Sequence, residues 1–597
     1  MSVNELSFMV GGPAGVGIKT AGLVFARLCS RAGLHAFGNV EYPSIIRGDH
    51  NSFQVMISER PVRSHTRRLD LLLALDELTV QLHKDELRTG GAIIYDNENK
   101  KVHIEGLAGK GLRLVGLPFM TLAREAGGDA RMINTIGVGA AMGVLRFDFE
   151  HIASALQMAY GKHGDKIVEI NRVCARKAYE AARAAVGDFD IHLEKRDAPR
   201  RMLLTGAEAF CMGAIRAGLR FYSGYPMTPS SSILTYLAAH ERDCGLVVKH
   251  TEDEIAGANM ALGAAFAGVR AATGTAGGGF CLMTEALGLS AMTETPLVFV
   301  EAQRPGPATG LPTRTEQGDL RFVLHASQDE FARVVVAPGD PEEAFYLGFE
   351  AFNHADRIQG PVIFLMDKHV CECHRTQEPF DVHGLTIDRG PWARPEDLRA
   401  DQRFRRFALT ESGVSPRAIP GTPGGVHTAT SDEHDEYGRI SEEEDDRKAM
   451  VEKRLRKLEQ VDVSQTGWKL HGPKKADVTL VGWGSTKGVI LDVMDDLARD
   501  GASVNFLQLV YLSPFPAAPV KKILKGAKKR ILIENNATGQ LGGLIREHTG
   551  VEITERILKY TGRMFLRDEL EARLRATIGA LHAAGPKTRA SKHATEE

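Results

Sequence analysis

The chain repeats one pattern that few folds accommodate. Short apolar runs that barely alternate with polar residues are each followed by small residues and then a helix-length tract. LSFMV (6–10), LDLLLALDE (69–77), GAIIYD (91–96), LVFVEA (297–302), PVIFLMD (361–367) and VNFLQL (504–509) are of this kind. A strand that is apolar on both sides must be covered on both sides, which parallel sheets achieve with crossover helices. The expected fold class is therefore α/β, with several doubly wound parallel-sheet domains. At 597 residues the chain is too long for one core.

The pattern divides the chain. A first unit, residues 1–190, opens on LSFMV, the loop GGPAGVG and a helix from about Ile18 to Ala32, and closes on a helical tract near 149–186. A second, 200–375, opens near Met202 and alternates AEAFCMGAIRAGL with LVFVEA, RVVVAP and PVIFLMD. Residues 376–475 break the rhythm with PGTPGG, the acidic run SDEHDEYGRISEEEDDR and MVEKRLRKLEQ. They are expected to form a connector wrapping the surface. Its acidic run should be solvated, and Val451, Leu455 and Leu458, at helical spacing, should dock. Residues 476–585 form a smaller α/β unit from DVTLVGWG onward, and 586–597 a polar, frayed tail.

Charge and composition exclude several roles. A net charge of −2 leaves no basic footprint for nucleic acid. No apolar run reaches the length of a membrane span. The start, MSVNELSFMV, lacks the basic stretch and cleavage site of a signal peptide, so a cytoplasmic location is expected. The seven cysteines include no CxxC pair and no set with cluster or zinc spacing, so reduced, mostly buried thiols are expected and no metal site. Cys371-Glu372-Cys373-His374 reads as a strand end.

GGPAGVGIKT almost spells a P-loop. Gly12 and Gly17 have the right separation, but Ile18 intervenes before Lys19-Thr20 and turns the lysine about 100° round the helix. The dinucleotide pattern fails as well. An anion-binding nest or a plain tight turn remains.

Four stretches bear on chemistry. In SGYPMTPSSS (223–232) two prolines bracket Thr228 and hold it extended on a rigid loop, with Ser230 to Ser232 available to cap the next helix. HTEDEIAGANMALGA (250–264) places the Glu254 carboxyl at the mouth of a dry tract of small residues, where it either caps a helix or holds a proton for chemistry. TGTAGGG (273–279) lets a ligand approach its backbone closely. QRPGPATGLPTRTEQ (303–317) offers Arg304 and Arg314 on a loop, a guanidinium setting suited to a carboxylate.

Together SGYPMTPSSS, HTEDEIAGANMALGAAFAG, TGTAGGGF and QRPGPATGLPTRTEQGD resemble the α subunit of 2-oxoacid:ferredoxin oxidoreductases. GGPAGVGIKTAG and EYPSIIRGDHNSF resemble the γ domain of the same enzymes, fused ahead of α, and the last unit resembles their transketolase C-terminal-like domain. The resemblance covers nearly the whole chain. Met227 replaces a more usual isoleucine, and TAGGG stands where SGPG is common.

The resemblance implies a use for each stretch. The α chain supplies the pyrimidine half of a thiamine diphosphate site, with Glu254, Pro226, Thr275 and Gly277 against the cofactor. Glu254 bonds the aminopyrimidine ring nitrogen and so promotes deprotonation of the thiazolium carbon, and a dry tract keeps its proton for that nitrogen and not for water. Thr228, Arg314 and Tyr225 contact the 2-oxoacid, Arg314 through its carboxylate. The γ domain sits over the coenzyme A entrance, where Arg47 and His50 are candidate contacts. The γ–α order and the acidic connector resemble the 2-oxoglutarate members most, although pyruvate and broad-specificity members share every motif.

The chain lacks the Gly-Asp-Gly signature that holds the diphosphate through magnesium, and its cysteines hold no four-iron cluster. By resemblance a β subunit brings both, in an (αβ)2 assembly that passes electrons to ferredoxin. A non-catalytic scaffold binding an anion at GGPAGVG is the alternative of another class. Retention of Thr228, Glu254 and Arg314 together argues against it.

Overall fold

The computed structural model describes residues 2–44, 49–394, 396, 398 and 403–583. Arg47 and the tail therefore lie outside the described residues. Three large sheets, of eight, seven and five strands, organise the chain, flanked by helices in an α/β architecture of mixed, largely parallel sheets.

The first sheet is parallel on one side only. Arg113–Leu117, Leu87–Asp96, Leu69–Ala74 and Leu6–Pro13 run parallel. His50–Ser58 and His35–Glu41 then run antiparallel, and His374–Gln377 and Met202–Leu204 complete the edge. EYPSIIRGDHNSF thus straddles two antiparallel strands. The sequence pattern predicts an all-parallel sheet here. The short connection from Glu41 to His50 cannot cross over a face, and only antiparallel pairing closes it. Over Leu6–Pro13 lies the Ile18–Arg31 helix, whose Phe25 stacks on Phe8 at 4.2 Å.

The second sheet runs in the order Val247–His250, Leu219–Gly224, Arg270–Thr275, Leu297–Gln303, Pro361–Asp367 and Val334–Val336, all parallel, and ends on the antiparallel strand Tyr511–Ser513. The third contains Val504–Leu509, Val478–Trp483, Lys529–Glu534 and Glu555–Leu558 in parallel, with Trp468–His471 antiparallel at its edge. Sequence-distant segments therefore complete the first and second sheets, and the sheets do not separate cleanly along the chain.

In segment 376–475 the acidic run 431–447 is exposed or half-buried apart from His434 and Gly438, and other parts are built into the fold. Trp468–His471 is a strand of the last sheet. His434 is fully buried, and Glu433 accepts from Arg454 at 2.6 Å and Arg447 at 2.7 Å. In the Glu444–Arg456 helix the buried residues are Met450, Lys453 and Arg454; of the three expected to dock, Leu455 is exposed, Val451 is half-buried, and Leu458, just beyond the helix, packs on the core of the second sheet. The charged side docks because Glu294, fully buried, receives Lys453 at 2.5 Å and Lys457 at 2.8 Å. A buried carboxylate without such partners would be strongly destabilising.

Two local expectations also change. Cys371 ends the short helix Lys368–Glu372 and Cys373 precedes the strand His374–Gln377, so this group is a helix-to-strand corner. Cys281 is exposed and Cys244 half-buried, while the other five thiols are buried. Among the described residues no His, Cys, Asp and Glu group is arranged to hold a metal, and no helix is long and apolar enough to cross a membrane.

Candidate active site

The Glu254–Phe266 helix begins where the second sheet's strands end. Asp253 is its N-cap and accepts from Ala256 N at 2.8 Å, so the capping role that Glu254 might have played is taken. Glu254, the first helical residue, is 3% exposed, and its Oε1 is buried with no hydrogen-bond partner. The helix seats against Gly224 because Gly257 has no side chain: a Cβ there would lie 3.3 Å from Gly224 Cα.

The Gly277–Met292 helix faces Glu254 with an N-terminus of three glycines. A Cβ at Gly279 would collide with Thr275 Oγ1 and lie 2.5 Å from Glu254 Oε1, and a Cβ at Gly277 would lie 2.7 Å from Asp319 Oδ2. The glycines therefore leave room in which the Glu254 and Thr275 oxygens converge. Thr275 Oγ1 also lies 3.7 Å from Met227 Sδ, which brings the SGYPMTPSSS loop to the same place.

On that loop Tyr225 and Pro226 are exposed, and the Tyr225 ring sits edge-on to His250 at 6.3 Å. Thr228 is half-buried, and its carbonyl accepts from Arg304 Nη1 at 2.8 Å; its bond to Pro229 is cis. The expected serine cap is not made. Ser230 Oγ donates instead to Met227 O at 2.9 Å and Ser232 Oγ to Pro229 O at 2.8 Å, so the serines brace the loop that carries Thr228.

Arg314 lies at the far end of the loop that Arg304 begins. Its Nη1 donates to Glu41 Oε2 at 3.1 Å, and Arg563 Nε reaches the same oxygen at 3.1 Å. Burial opposes the charge on Arg314 and Glu41 supports it, with a net lowering from the ordinary arginine range. Arg314, Arg563, Arg67, Lys559, His50 and His369 line one cleft of about 730 Å³ between the first sheet and the rest of the chain. His50 Nε2 lies 2.9 Å from His83 Nε2, and burial lowers its pKa below the usual histidine value.

The sequence-predicted residues thus fall into two groups, Glu254 with Thr275, Gly277 and Thr228, and Arg314 with His50. The loop from Arg304 to Arg314 joins them. Arg563 and Glu41 were not foreseen; an arginine in the loop TGRMFL ahead of the Arg567–Ala583 helix and a lone strand-end glutamate carry no sequence signal, and only folding brings them together. The polar residues of ENNATGQLG form a seam: Asn535 N donates to Gln317 Oε1 at 2.9 Å, Asn536 Nδ2 to Gln317 O at 3.0 Å and Gln540 Nε2 to Gly318 O at 2.6 Å. They anchor the base of the arginine loop.

The glycine-rich loop is a separate feature. Gly15 and Gly17 adopt positive φ of 89° and 84°, and Asn134 Nδ2 donates to Val16 O at 2.5 Å, filling the space a side chain at Gly17 would need. Gly15, Gly17 and Lys19 border another cleft, of about 880 Å³.

A buried acid packed against a glycine-led helix lies at the carboxyl ends of the second sheet's strands, where open α/β sheets bind ligands. The family model for the thiamine-diphosphate-binding domain of pyruvate flavodoxin/ferredoxin oxidoreductases matches residues 212–453, that for pyruvate ferredoxin/flavodoxin oxidoreductase matches 7–181, and that for core domain II of pyruvate:ferredoxin oxidoreductase matches 476–569. The 2-oxoacid:ferredoxin oxidoreductase subunit alpha of a Sulfolobus species is 34% identical over 96% of both chains. The 2-oxoglutarate oxidoreductase subunit KorA of Mycobacterium tuberculosis is 30% identical over 95% of this chain and 90% of that protein. The solved 2-oxoglutarate:ferredoxin oxidoreductase from Magnetococcus marinus, with 2-oxoglutarate, coenzyme A and succinyl-CoA bound, superposes with a TM-score of 0.89, at 29% identity over 96% of this chain and all of that one. The chain belongs to the 2-oxoacid:ferredoxin oxidoreductases, as an α subunit, and is part of a multisubunit oxidoreductase.

Proposed function

We propose that the chain serves the interconversion of 2-oxoglutarate and coenzyme A with succinyl-CoA and carbon dioxide, with two electrons exchanged with ferredoxin. The observation that carries the thiamine half of this reading is the unpartnered, buried Glu254 Oε1 packed against Gly279 of the glycine-led helix. An orphaned buried carboxyl oxygen beside a backbone bare of side chains fits an acid that bonds the aminopyrimidine ring nitrogen. Thiamine diphosphate, when bound, supplies the nucleophilic carbon that adds to the 2-oxo group and takes up the electrons left as carbon dioxide departs.

The chain's own residues do the rest. Glu254 holds a proton at the ring nitrogen, shielded from water by Ala258, Ala261 and Phe280, all fully buried. Thr275 and the backbone of Gly277 flank the ring. Arg304 fixes the Thr228 carbonyl, which orients the Thr228 hydroxyl and Tyr225 towards the 2-oxoacid. Arg314 takes the carboxylate beside the oxo group. Coenzyme A enters by the cleft that contains His50 and Arg314.

A dicarboxylate needs a second cation, and Arg563 stands beside Arg314 on the same Glu41 oxygen. That pair favours 2-oxoglutarate over pyruvate, in line with the substrates named for the Magnetococcus and mycobacterial proteins. Magnesium, the diphosphate site and the iron–sulfur cluster belong to a β subunit, in an (αβ)2 assembly. Ile255, beside Glu254, and Leu282, on the facing helix, are exposed apolar residues that such a subunit would cover.

The test is coenzyme A-dependent viologen reduction under argon by the complex captured through this chain. Strong reduction with 2-oxoglutarate and little with pyruvate is expected. Preference for pyruvate overturns the substrate, and no reduction with either overturns the reading.

A further inference from the structure

The loop that carries Arg304 and Arg314 joins the Leu297–Gln303 strand to the Leu320–His325 helix. An acid stands at each end of it. Glu301 is fully buried on the strand, and Asp319 immediately precedes the helix. Both carboxyl oxygens of Glu301 are buried and meet no N–H or hydroxyl donor. Glu301 and Gln303, two apart on the strand, point to the same face, and Asp319 N donates to Gln303 Oε1 at 2.9 Å, which sets the Asp319 carboxyl on the Glu301 side of the sheet. Two carboxyls bond only when one of them carries a proton.

Neither acid can turn away. Glu301 is held in the sheet between Thr275 and Leu365. Asp319 N donates to Gln303 Oε1 at 2.9 Å, and Asp319 Oδ2 sits 2.7 Å from where a Gly277 Cβ would be. The titratable and charged groups whose fields reach Glu301 are Asp319, Asp367 from the next strand, Cys281 from the glycine-led helix, Cys371 from the Lys368–Glu372 helix and Arg304 from the loop, and the field of Asp319 reaches Glu316. Arg304 is committed to the Thr228 carbonyl. Burial first, and then Asp319, pushes Glu301 well above the carboxylate range, and burial pushes Asp319 up to about 6.

We propose that Glu301 and Asp319 share one proton and so clasp the neck of the arginine loop, acting as positioning residues for Arg304 against Thr228 and for Arg314. The acids bond at the neck, and the loop is fixed. With both ionised, two like charges in a dry site repel and the neck loosens. The folded state holds a proton that the unfolded chain releases near pH 4, so the clasp is present below its folded pKa and is lost as pH rises through it. Only the kinetic consequence rests on the function proposed above.

Infrared difference spectra of the whole complex, wild type against Glu301→Gln, test the shared proton directly. A protonated-carboxyl stretch is expected at pH 7.5 in the wild type, absent from the variant and fading as pH is raised. The glutamine amide donates to Asp319 without a proton. Glu301→Gln should therefore keep the 2-oxoacid KM within about threefold and flatten the alkaline limb of kcat/KM, whereas Glu301→Ala raises KM about tenfold. No difference band at pH 7.5 overturns the clasp, as does a glutamine variant whose KM rises as far as the alanine variant's. If the alanine variant does not fold, the infrared comparison decides alone. A band that is present in a complex inactive with every 2-oxoacid supports the clasp and overturns the function.

Discussion

Glu41, on the first sheet, accepts a hydrogen bond from Arg314, on the loop of the second, at 3.1 Å across the cleft between them. Arg563 shares the same oxygen, so two guanidiniums meet one carboxylate and leave a net positive site. If Arg563 takes the far carboxylate of 2-oxoglutarate, Arg563→Ala should lower kcat/KM for 2-oxoglutarate by about tenfold or more, the worth of one charge-assisted hydrogen bond. Pyruvate should change by less than about threefold in the same preparation. Equal losses with both substrates would remove Arg563 from substrate choice.

Glu254→Gln keeps the size of a side chain that is almost fully buried but removes its acid. Turnover should fall by about 10²–10⁴-fold, the usual range for a lost proton-transfer group, with the complex still assembled and its thermal midpoint near that of the wild type. Retained turnover would refute the role. Gly279→Ala should fail in parallel, by filling the gap between Thr275 and Glu254.

Glu294→Gln probes a different kind of buried charge. Lys453, Lys457 and Arg406 converge on Glu294, and their charges hold its carboxyl well below the usual range despite burial. Removing it strands three buried cations, which should cost about 3–5 kcal/mol and lower the urea midpoint. A midpoint unchanged within error would show that the cluster relaxes freely.

Acid should destabilise the chain before its carboxylates titrate. Burial lowers His354, His369 and His374 to about 3 and His65 to about 4. Between pH 6.5 and these values the unfolded chain binds protons that the folded chain does not, so stability falls as pH drops. Each group contributes a slope of up to about 1.4 kcal/mol per pH unit. The check is the urea midpoint at pH 7 and pH 5. His354→Gln, which keeps a partner for the Tyr511 hydroxyl, should reduce the slope, and an unchanged slope would exclude His354 from it.

Much of the fold was legible because strand and helix are local. LDLLLALDE, LVFVEA and PVIFLMD are apolar on both faces and form interior strands of the sheets. The helix after GGPAGVG begins at Ile18 because Gly17, at positive φ, ends the loop. Glu254 stood out because a carboxyl beside Ala and Gly needs a reason. What was not legible depended on distant partners. MVEKRLRKLEQ reads as docking through Val451, Leu455 and Leu458, and only folding shows Lys453 and Lys457 buried on Glu294; the serines after Pro229 read as caps until they brace Thr228.

The sequence by itself determined the α/β alternation, the rigid Thr228 loop and the small-residue tract behind Glu254. Those rest on backbone preferences and on side-chain type at neighbouring positions. Only the tertiary structure decided that the first sheet is half antiparallel, that Arg314 and Arg563 meet on Glu41, and that Glu301 is buried at one end of the arginine loop with Asp319 at the other. Each of these joins groups through burial and charge, whose strength is set by the dielectric and the distance that folding creates.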